Sequence, residues 1–241
     1  MQTISLSHSR IEQLSFDIVE VNNMALAIFD LDNTLLGGDS DYLWGEFLVE
    51  QNIVDAKSYQ QTNQDFYDQY LAGTMDIFEF SAFQFKPLAD NTLDDLTRWR
   101  EHYLTEKIKP IILPAALELI TKHRQQGDDL LIITATNSFI TAPIAKLLKI
   151  PHLIATEAEM INGVYTGMVA GTPSYQGGKV SRLNTWLIEQ DVTLEGSYFY
   201  SDSHNDLPLL NLVEHPVAVD ADSKLQAIAK QQGWKIISLR E

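Results

Sequence analysis

The chain contains no cysteine in 241 residues. Disulfide staples and thiolate metal sites are therefore excluded. Basic residues are also scarce, 17 against 33 acidic ones, which sets the formal net charge at −16. Nucleic acid and anionic membrane both require a basic footprint, so neither is expected as a partner. An anionic substrate would need local cations or a metal to overcome that field. No run of about 20 apolar residues is available to span a bilayer. The N-terminus shows no basic segment followed by an apolar one, so no secretory signal is expected and a cytoplasmic location is the default reading. Internal repeats and low-complexity tracts are lacking too. Apolar residues make up 45% of the chain, which at this length supports one or two domains with a sizeable core.

Residues 1–23 are polar and weakly patterned, and they read as an N-terminal extension that is dispensable for the fold. A first strand begins at Ala25, directly after Met24. A long insertion follows, residues 40–109, in which "YLWGEFLVEQN", "SYQQTNQDFYDQYLAG" and "TLDDLTRWREHYLTEKI" place apolar residues at helical spacing. Thr92 with Asp95 resembles a helix cap and its partner. Phe78, Phe80, Phe83 and Phe85 are expected to pack these helices together rather than to form a ligand box.

Beyond the insertion, strands and helices alternate. Pro114 opens a helix that stops at Gly127. "DLLIIT", Asp129 to Thr134, is a short continuous apolar run, as in a parallel strand buried on both faces. A helix is expected over 138–149, and Asn162-Gly163 marks a hairpin. "GGKVSRLNTWLIEQ" reads as a helix, "GSYFYSDSHNDLPLLNLV" as a strand entering an acidic turn, and the C-terminus as strand, helix, strand. The predicted fold class is α/β: a doubly wound parallel sheet core, residues 24–39 and 110–241, with residues 40–109 inserted as a helical domain.

Ligands of open parallel sheets bind outside the carboxyl ends of the strands. The chemistry-bearing residues of this chain gather at those ends. "LAIFDLDNTLLGGDSDYLWGEF" runs apolar to Phe29 and then places Asp30 and Asp32 two residues apart. Stacked carboxylates at a strand end are costly unless a cation lies between them or one is protonated. Thr134 ends the second strand, Lys179 begins a helix, and a later strand ends at Asp202, with Asp206 four residues on. Carboxylates suit a hard cation such as magnesium, while a lysine and a hydroxyl suit phosphoryl oxygens. A calcium loop starting at Asp30 is rejected, because no glycine stands at its sixth position and Asp41 occupies the twelfth. Gly177 and Gly178 are by themselves a weak phosphate signal.

Asp30-Leu31-Asp32-Asn33-Thr34, Thr134, Lys179 and Asp202-Ser203-His204-Asn205-Asp206 resemble, in order, the four motifs of the haloacid dehalogenase superfamily. The helical insertion is similar to the cap of its phosphoserine phosphatase-like branch, which also contains histidinol-phosphate phosphatases, and "YSDSHNDLPLL" is close to the latter. The resemblance covers the chain from Ala25 onward. It implies that Asp30 attacks phosphorus to form an aspartyl-phosphate, and that Asp32 protonates the leaving alkoxide and then activates water. It further implies that Thr134 and Lys179 bind the phosphoryl group. Asp30, the main-chain carbonyl of Asp32, and Asp202 would ligate Mg2+, with Asp206 supporting Lys179 or a metal-bound water.

Two departures qualify the match. Ser201 stands where the fourth motif often has glycine, and the second motif reads Thr134-Ala135-Thr136-Asn137 rather than Ser-Gly-Gly, which points away from phosphoserine. Asp39, nine residues after Asp30, takes the place of a glutamate that resembles an ammonium clamp in phosphoserine phosphatases. A clamp and a cap for the helix at Tyr42 are equally compatible with it. Asp206 could likewise cap the helix entering Leu207, and His204 is expected to face solvent. The activity implied is magnesium-dependent hydrolysis of a small phosphorylated metabolite, an amino-alcohol phosphate such as L-histidinol phosphate. A phosphoserine phosphatase, a phosphotransferase or mutase, and a catalytically silent binding domain are the rivals. A dehalogenase is disfavoured, since halide departure leaves Asp32 no alkoxide to protonate.

Overall fold

The computed structural model describes residues 25–240. The expected N-terminal extension lies outside them. The elements in chain order are β1 (Leu26–Phe29), α1 (Ser40–Glu50), α2 (Ala56–Ala72), α3 (Ile77–Asp90), α4 (Leu93–Tyr103), α5 (Pro114–Gln126), β2 (Asp129–Asn137), α6 (Ser138–Leu147), β3 (His152–Ile161), β4 (Val164–Ala170), α7 (Gly177–Gln190), β5 (Tyr198–Ser201), α8 (Leu207–Leu210), β6 (His215–Val219), α9 (Ser223–Gln232) and β7 (Lys235–Ile237). A π-helical turn, Leu104–Ile108, continues α4 where the periodicity suggested one unbroken helix.

Seven strands form one sheet in the order β4-β3-β2-β1-β5-β6-β7. All neighbouring pairs are parallel except the β3–β4 hairpin, where β4 forms an antiparallel edge. The turn of that hairpin needs two left-handed residues, and Asn162 (φ 52°) and Gly163 (φ 82°) supply them. The chain crosses from one side of β1 to the other between β4 and β5, which makes the carboxyl ends of β1, β2 and β5 the switch point.

Alternation along the central strands explains why both faces are covered. Ala27, Phe29, Leu130, Ile132 and Tyr200 join the core on one face, and Leu26, Ile28, Leu131, Ile133 and Phe199 join the core on the other. Burial on both faces requires a continuous apolar run, which is what "LAIF" and "DLLII" provide. The helices of the insertion pack on the first of these cores through Trp44, Phe47, Phe85 and Tyr103. Tyr103 Oη donates to the carbonyl of Ser40 at 2.5 Å, tying α4 to the start of α1.

The phenylalanines of α3 do not behave as one group. Phe85 is buried, Phe83 packs at a tilt on Tyr59 with ring centroids 4.4 Å apart, and Phe80 lines a pocket, but Phe78 is 61% exposed. Strand β2 runs three residues past Thr134, carrying Thr136 and Asn137 onto the rim of the sheet. No helix among the described residues is long and apolar enough to cross a membrane.

Candidate active site

β1 ends at Phe29, and the amide of Asp30 donates to Tyr200 O at 2.9 Å, which prolongs the ladder to β5 by one bond. The Asp30 side chain is therefore delivered by two strands at once. Lys179 reaches it from the first turn of α7: its Nζ lies 2.8 Å from Asp30 Oδ1 and 2.9 Å from Asp206 Oδ2. All three side chains are buried. Ser201 Oγ donates to Asp206 Oδ2 at 2.7 Å, so Asp206 is held by two donors. The Asp206 side chain makes no capping bond to α8 and is instead ion-paired with Lys179.

Burial pushes the Asp30 carboxyl up to about 7, with Lys179 pulling against it and Asp206 and Asp32 adding to it. Burial also works against the charge on Lys179, but Asp206 and Asp30 outweigh it and the ammonium is held protonated. Among the described residues no donor reaches Asp30 Oδ2. One oxygen of Asp30 is thus fixed by a cation, and the residue lines the pocket.

The close approach of α7 depends on Gly178. A Cβ there would lie 2.0 Å from Pro173 O, which no side chain tolerates. Gln176 enters the helix at φ 46°, with its side-chain Nε2 donating to Asn205 Oδ1 at 3.2 Å. Gly178 and this turn serve to place Lys179.

The Asp32 carboxylate turns a different way. Its Oδ1 accepts from the Ser40 amide at 2.7 Å, and its Oδ2 accepts from Thr136 Oγ1 at 2.8 Å and from Thr134 Oγ1 at 3.4 Å. Withdrawal from water and the charge of Asp39 raise it to about 6, while the donors from Ser40 and Thr136 pull it down. A group poised there can hold a proton in one step and release it in the next. Thr136 was not a sequence candidate. The available signal was its position two residues after Thr134 on one strand, which puts both hydroxyls on the same face.

Asp202 follows β5. Its amide donates to Thr34 Oγ1 at 3.1 Å, and that hydroxyl donates to Asp202 Oδ1 at 3.3 Å, locking the first motif to the fourth. Burial, Asp30 and Asp206 drive the Asp202 carboxyl well above its ordinary range. His204 departs from expectation: Nδ1 lies 2.8 Å from Asp222 Oδ2 and the side chain is only 15% exposed, because Asp222 caps α9 beside it.

The donor set fits a hard cation. Lys179 pairs with Asp30 and Asp206, and Asp202, whose carboxyl is driven up by burial, Asp30 and Asp206, has no ion pair of its own among the described residues. Among the described residues no three His, Cys, Asp or Glu side chains form a metal cage. Since the Asp32 carboxylate is engaged by Ser40 and Thr136, Asp32 can contribute only through its main-chain carbonyl, beside the carboxylates of Asp30 and Asp202. Two carboxylates, a carbonyl and remaining water match magnesium, which keeps much of its hydration.

A pocket opens over these groups, floored by Asp30, Asp32 and Thr134 and roofed by α1, α2 and α3. Asp39 lines it and also N-caps α1, its Oδ1 accepting from Asp41 N at 2.9 Å and Tyr42 N at 2.8 Å. Of the sequence candidates, Asp30, Lys179 and Asp206 meet in one ion-paired cluster, Asp32 and Thr134 meet beside it, and Asp202 is tied to the same motif through Thr34. Sequence reasoning missed Thr136, the role of Thr34, and Asp41, whose buried carboxylate lines the same pocket.

A family model described as haloacid dehalogenase-like hydrolase matches residues 27–211. A histidinol-phosphatase of Neisseria meningitidis serogroup C (strain 8013) is 43% identical over 219 residues, covering 89% of this chain and 99% of that protein. A solved structure from Bordetella pertussis Tohama I, described as a protein with unknown function, overlays with a TM-score of 0.84 at 40% identity, over 89% of this chain and 98% of that one. A substrate-bound phosphoserine phosphatase overlays with a TM-score of 0.66 at 15% identity, over 90% and 94% of the two chains, a likeness of fold alone.

Proposed function

The chain belongs to the haloacid dehalogenase-like hydrolases and is a phosphatase, and we propose that it hydrolyses a small amine-bearing phosphomonoester, L-histidinol phosphate first, with magnesium bound. The observation that carries the reading is the different fixing of two neighbouring acids. Asp30 is anchored to a buried lysine through one oxygen, the other taking no donor among the described residues, and Asp32 is hydrogen-bonded by hydroxyls and an amide. The substrate rests on the 43% identity to a histidinol-phosphatase matched over 99% of its length.

Asp30 Oδ2 attacks phosphorus, forming an aspartyl-phosphate as the bond to the alcohol oxygen breaks. Protonated Asp32 gives its proton to the departing alkoxide. As a carboxylate it then takes a proton from water, whose oxygen attacks the phosphoryl group and frees Asp30 and phosphate. Lys179 and Thr134 offset charge on the phosphoryl oxygens. Asp30, Asp202 and the main-chain carbonyl of Asp32 would hold magnesium, which supplies positive charge against those same oxygens. Asp206 keeps Lys179 in place. Asp39, on the pocket wall, faces the substrate amine with whatever lone pairs the helix cap leaves free. Residues 40–109 act as a cap that excludes bulk water over a core of residues 24–39 and 110–241. A small cytoplasmic metabolite suits a surface of net charge −16 better than a polyanion does.

The test is turnover of purified protein on L-histidinol phosphate and O-phosphoserine, with and without EDTA, alongside Asp30→Asn. We expect hydrolysis of the former in preference, reversible loss with EDTA, and abolition by Asp30→Asn with an unchanged melting profile. Near-normal turnover in Asp30→Asn would refute the covalent mechanism, and preference for phosphoserine would move the substrate.

A further inference from the structure

Asp41 stands in the first turn of α1 and is 5% exposed. A carboxylate buried that deeply ordinarily finds a cation or several donors, because a bare buried charge is among the most costly groups a fold can hold. Its Oδ1 has no hydrogen-bond partner among the described residues. The charges closest in effect, Asp39 and Asp32, are of its own sign and join burial in driving its carboxyl well up.

Gln84 of α3 faces the same pocket and is 2% exposed. Its orientation follows from a relay. Asn63 Nδ2 donates to Tyr42 O at 3.1 Å, so Asn63 Oδ1 must accept, and Gln84 Nε2 donates to it at 3.4 Å. That leaves Gln84 Oε1 pointing elsewhere, and it too lacks a partner among the described residues. The relay is built in: a Cβ on Gly45 would lie 2.7 Å from Asn63 Nδ2, so a glycine in mid-helix clears the space for it. The same pocket is walled by Phe66, Tyr67 and Phe80.

Two buried acceptors without donors, behind aromatic walls, are the complement of a flat cation with N–H groups on its edge. Resting on the phosphatase reading above, we infer that the cap end of this pocket is a second recognition subsite, where Asp41 and Gln84 accept N–H groups from a protonated nitrogen heterocycle carried by the phosphoester. It differs from the wall at Asp39, whose Oδ1 already accepts two amides of α1. The pocket then reads its substrate at three places: the phosphoryl group at Asp30, the amine at Asp39, and a ring at Asp41.

The test compares wild type and Asp41→Asn on L-histidinol phosphate, which carries amine and ring, and on O-phosphoethanolamine, which carries the amine alone. The ratio of kcat/KM for the first over the second should fall roughly ten- to a hundredfold in the variant, with the melting temperature equal or higher. Gln84→Met should move the ratio in the same direction. Free imidazole should inhibit hydrolysis of p-nitrophenyl phosphate by wild type, and inhibit Asp41→Asn less. A ratio within twofold of wild type in both variants, or equal imidazole inhibition of wild type and Asp41→Asn, overturns the subsite. If wild type hydrolyses neither amine-bearing ester, the proposed substrate fails, and the imidazole arm still decides the subsite by itself.

Discussion

Lys179 Nζ lies 2.8 Å from Asp30 Oδ1 although 149 positions separate the two residues in the chain. The ammonium also lies 2.8 Å from Asp206 Oδ1, so one buried cation serves two buried carboxylates. Removing the cation leaves both acids uncompensated, and breaking a buried pair from one side is far more harmful than never having built it.

Lys179→Met should therefore lose about 3–5 kcal/mol of folding stability and roughly a hundred- to a thousandfold in kcat. Adding Asp206→Asn removes one orphaned charge, so the double variant should regain part of the stability and none of the turnover. Denaturant melts and initial rates on p-nitrophenyl phosphate measure the two effects. Stability equal to wild type in Lys179→Met would show that the cluster carries no such coupling.

Thr136→Val deletes the 2.8 Å bond to Asp32 Oδ2. That bond favours the ionised carboxylate, so its loss must raise the Asp32 value above about 6. The limb of the pH–rate profile that reports Asp32 should move to higher pH, by about one unit. A limb that stays in place or moves to lower pH would deny Asp32 its role as acid and base.

Asp39→Asn keeps an oxygen for the amides of Asp41 and Tyr42 but removes the charge, while Asp39→Ala removes both. Only the alanine variant should melt lower, by about 1 kcal/mol in stability. Both should lose roughly ten- to a hundredfold in kcat/KM on an amine-bearing ester and much less on p-nitrophenyl phosphate. Equal losses on both substrates in Asp39→Asn would leave this aspartate as a helix cap alone.

Gly178→Ala places a methyl where Pro173 O already stands, so the start of α7 must shift. The expected destabilisation is about 1–3 kcal/mol, with activity falling further than stability because Lys179 is the next residue. Full activity at wild-type stability would show that the 173–178 turn yields without moving the lysine.

The sheet is legible in the amino-acid sequence because its rules are local. "LAIF" and "DLLIIT" are too apolar and too short for an amphipathic helix, and Asn162-Gly163 can close a hairpin without strain. Pro114 and Gly127 bound α5 at both ends for equally local reasons. Asp30, Asp32, Thr134, Lys179 and Asp202 are legible because polar residues at strand and helix ends stand out against apolar surroundings. The exposure of Phe78 and the pairing of His204 are not, since each depends on which neighbour arrives from a distant segment; Asp222, 18 positions away, is what draws His204 in.

The sequence by itself determined an α/β sheet, the set of acids and the lysine on its rim, and a helical insertion above them, because periodicity, turn chemistry and charge are properties of adjacent residues. Tertiary structure alone decided how those acids divide their work. Asp30 and Asp32 are chemically identical side chains two residues apart, and only the arrival of Lys179 at one and of Ser40, Thr134 and Thr136 at the other makes them different. The same holds for Asp39 and Asp41: one is occupied by the amides of its own helix, and the other, lining the pocket closed by α1, α2 and α3, has no donor on Oδ1 among the described residues. A carboxylate's role is set by what solvates it once water is gone, and that is a property of the packed chain.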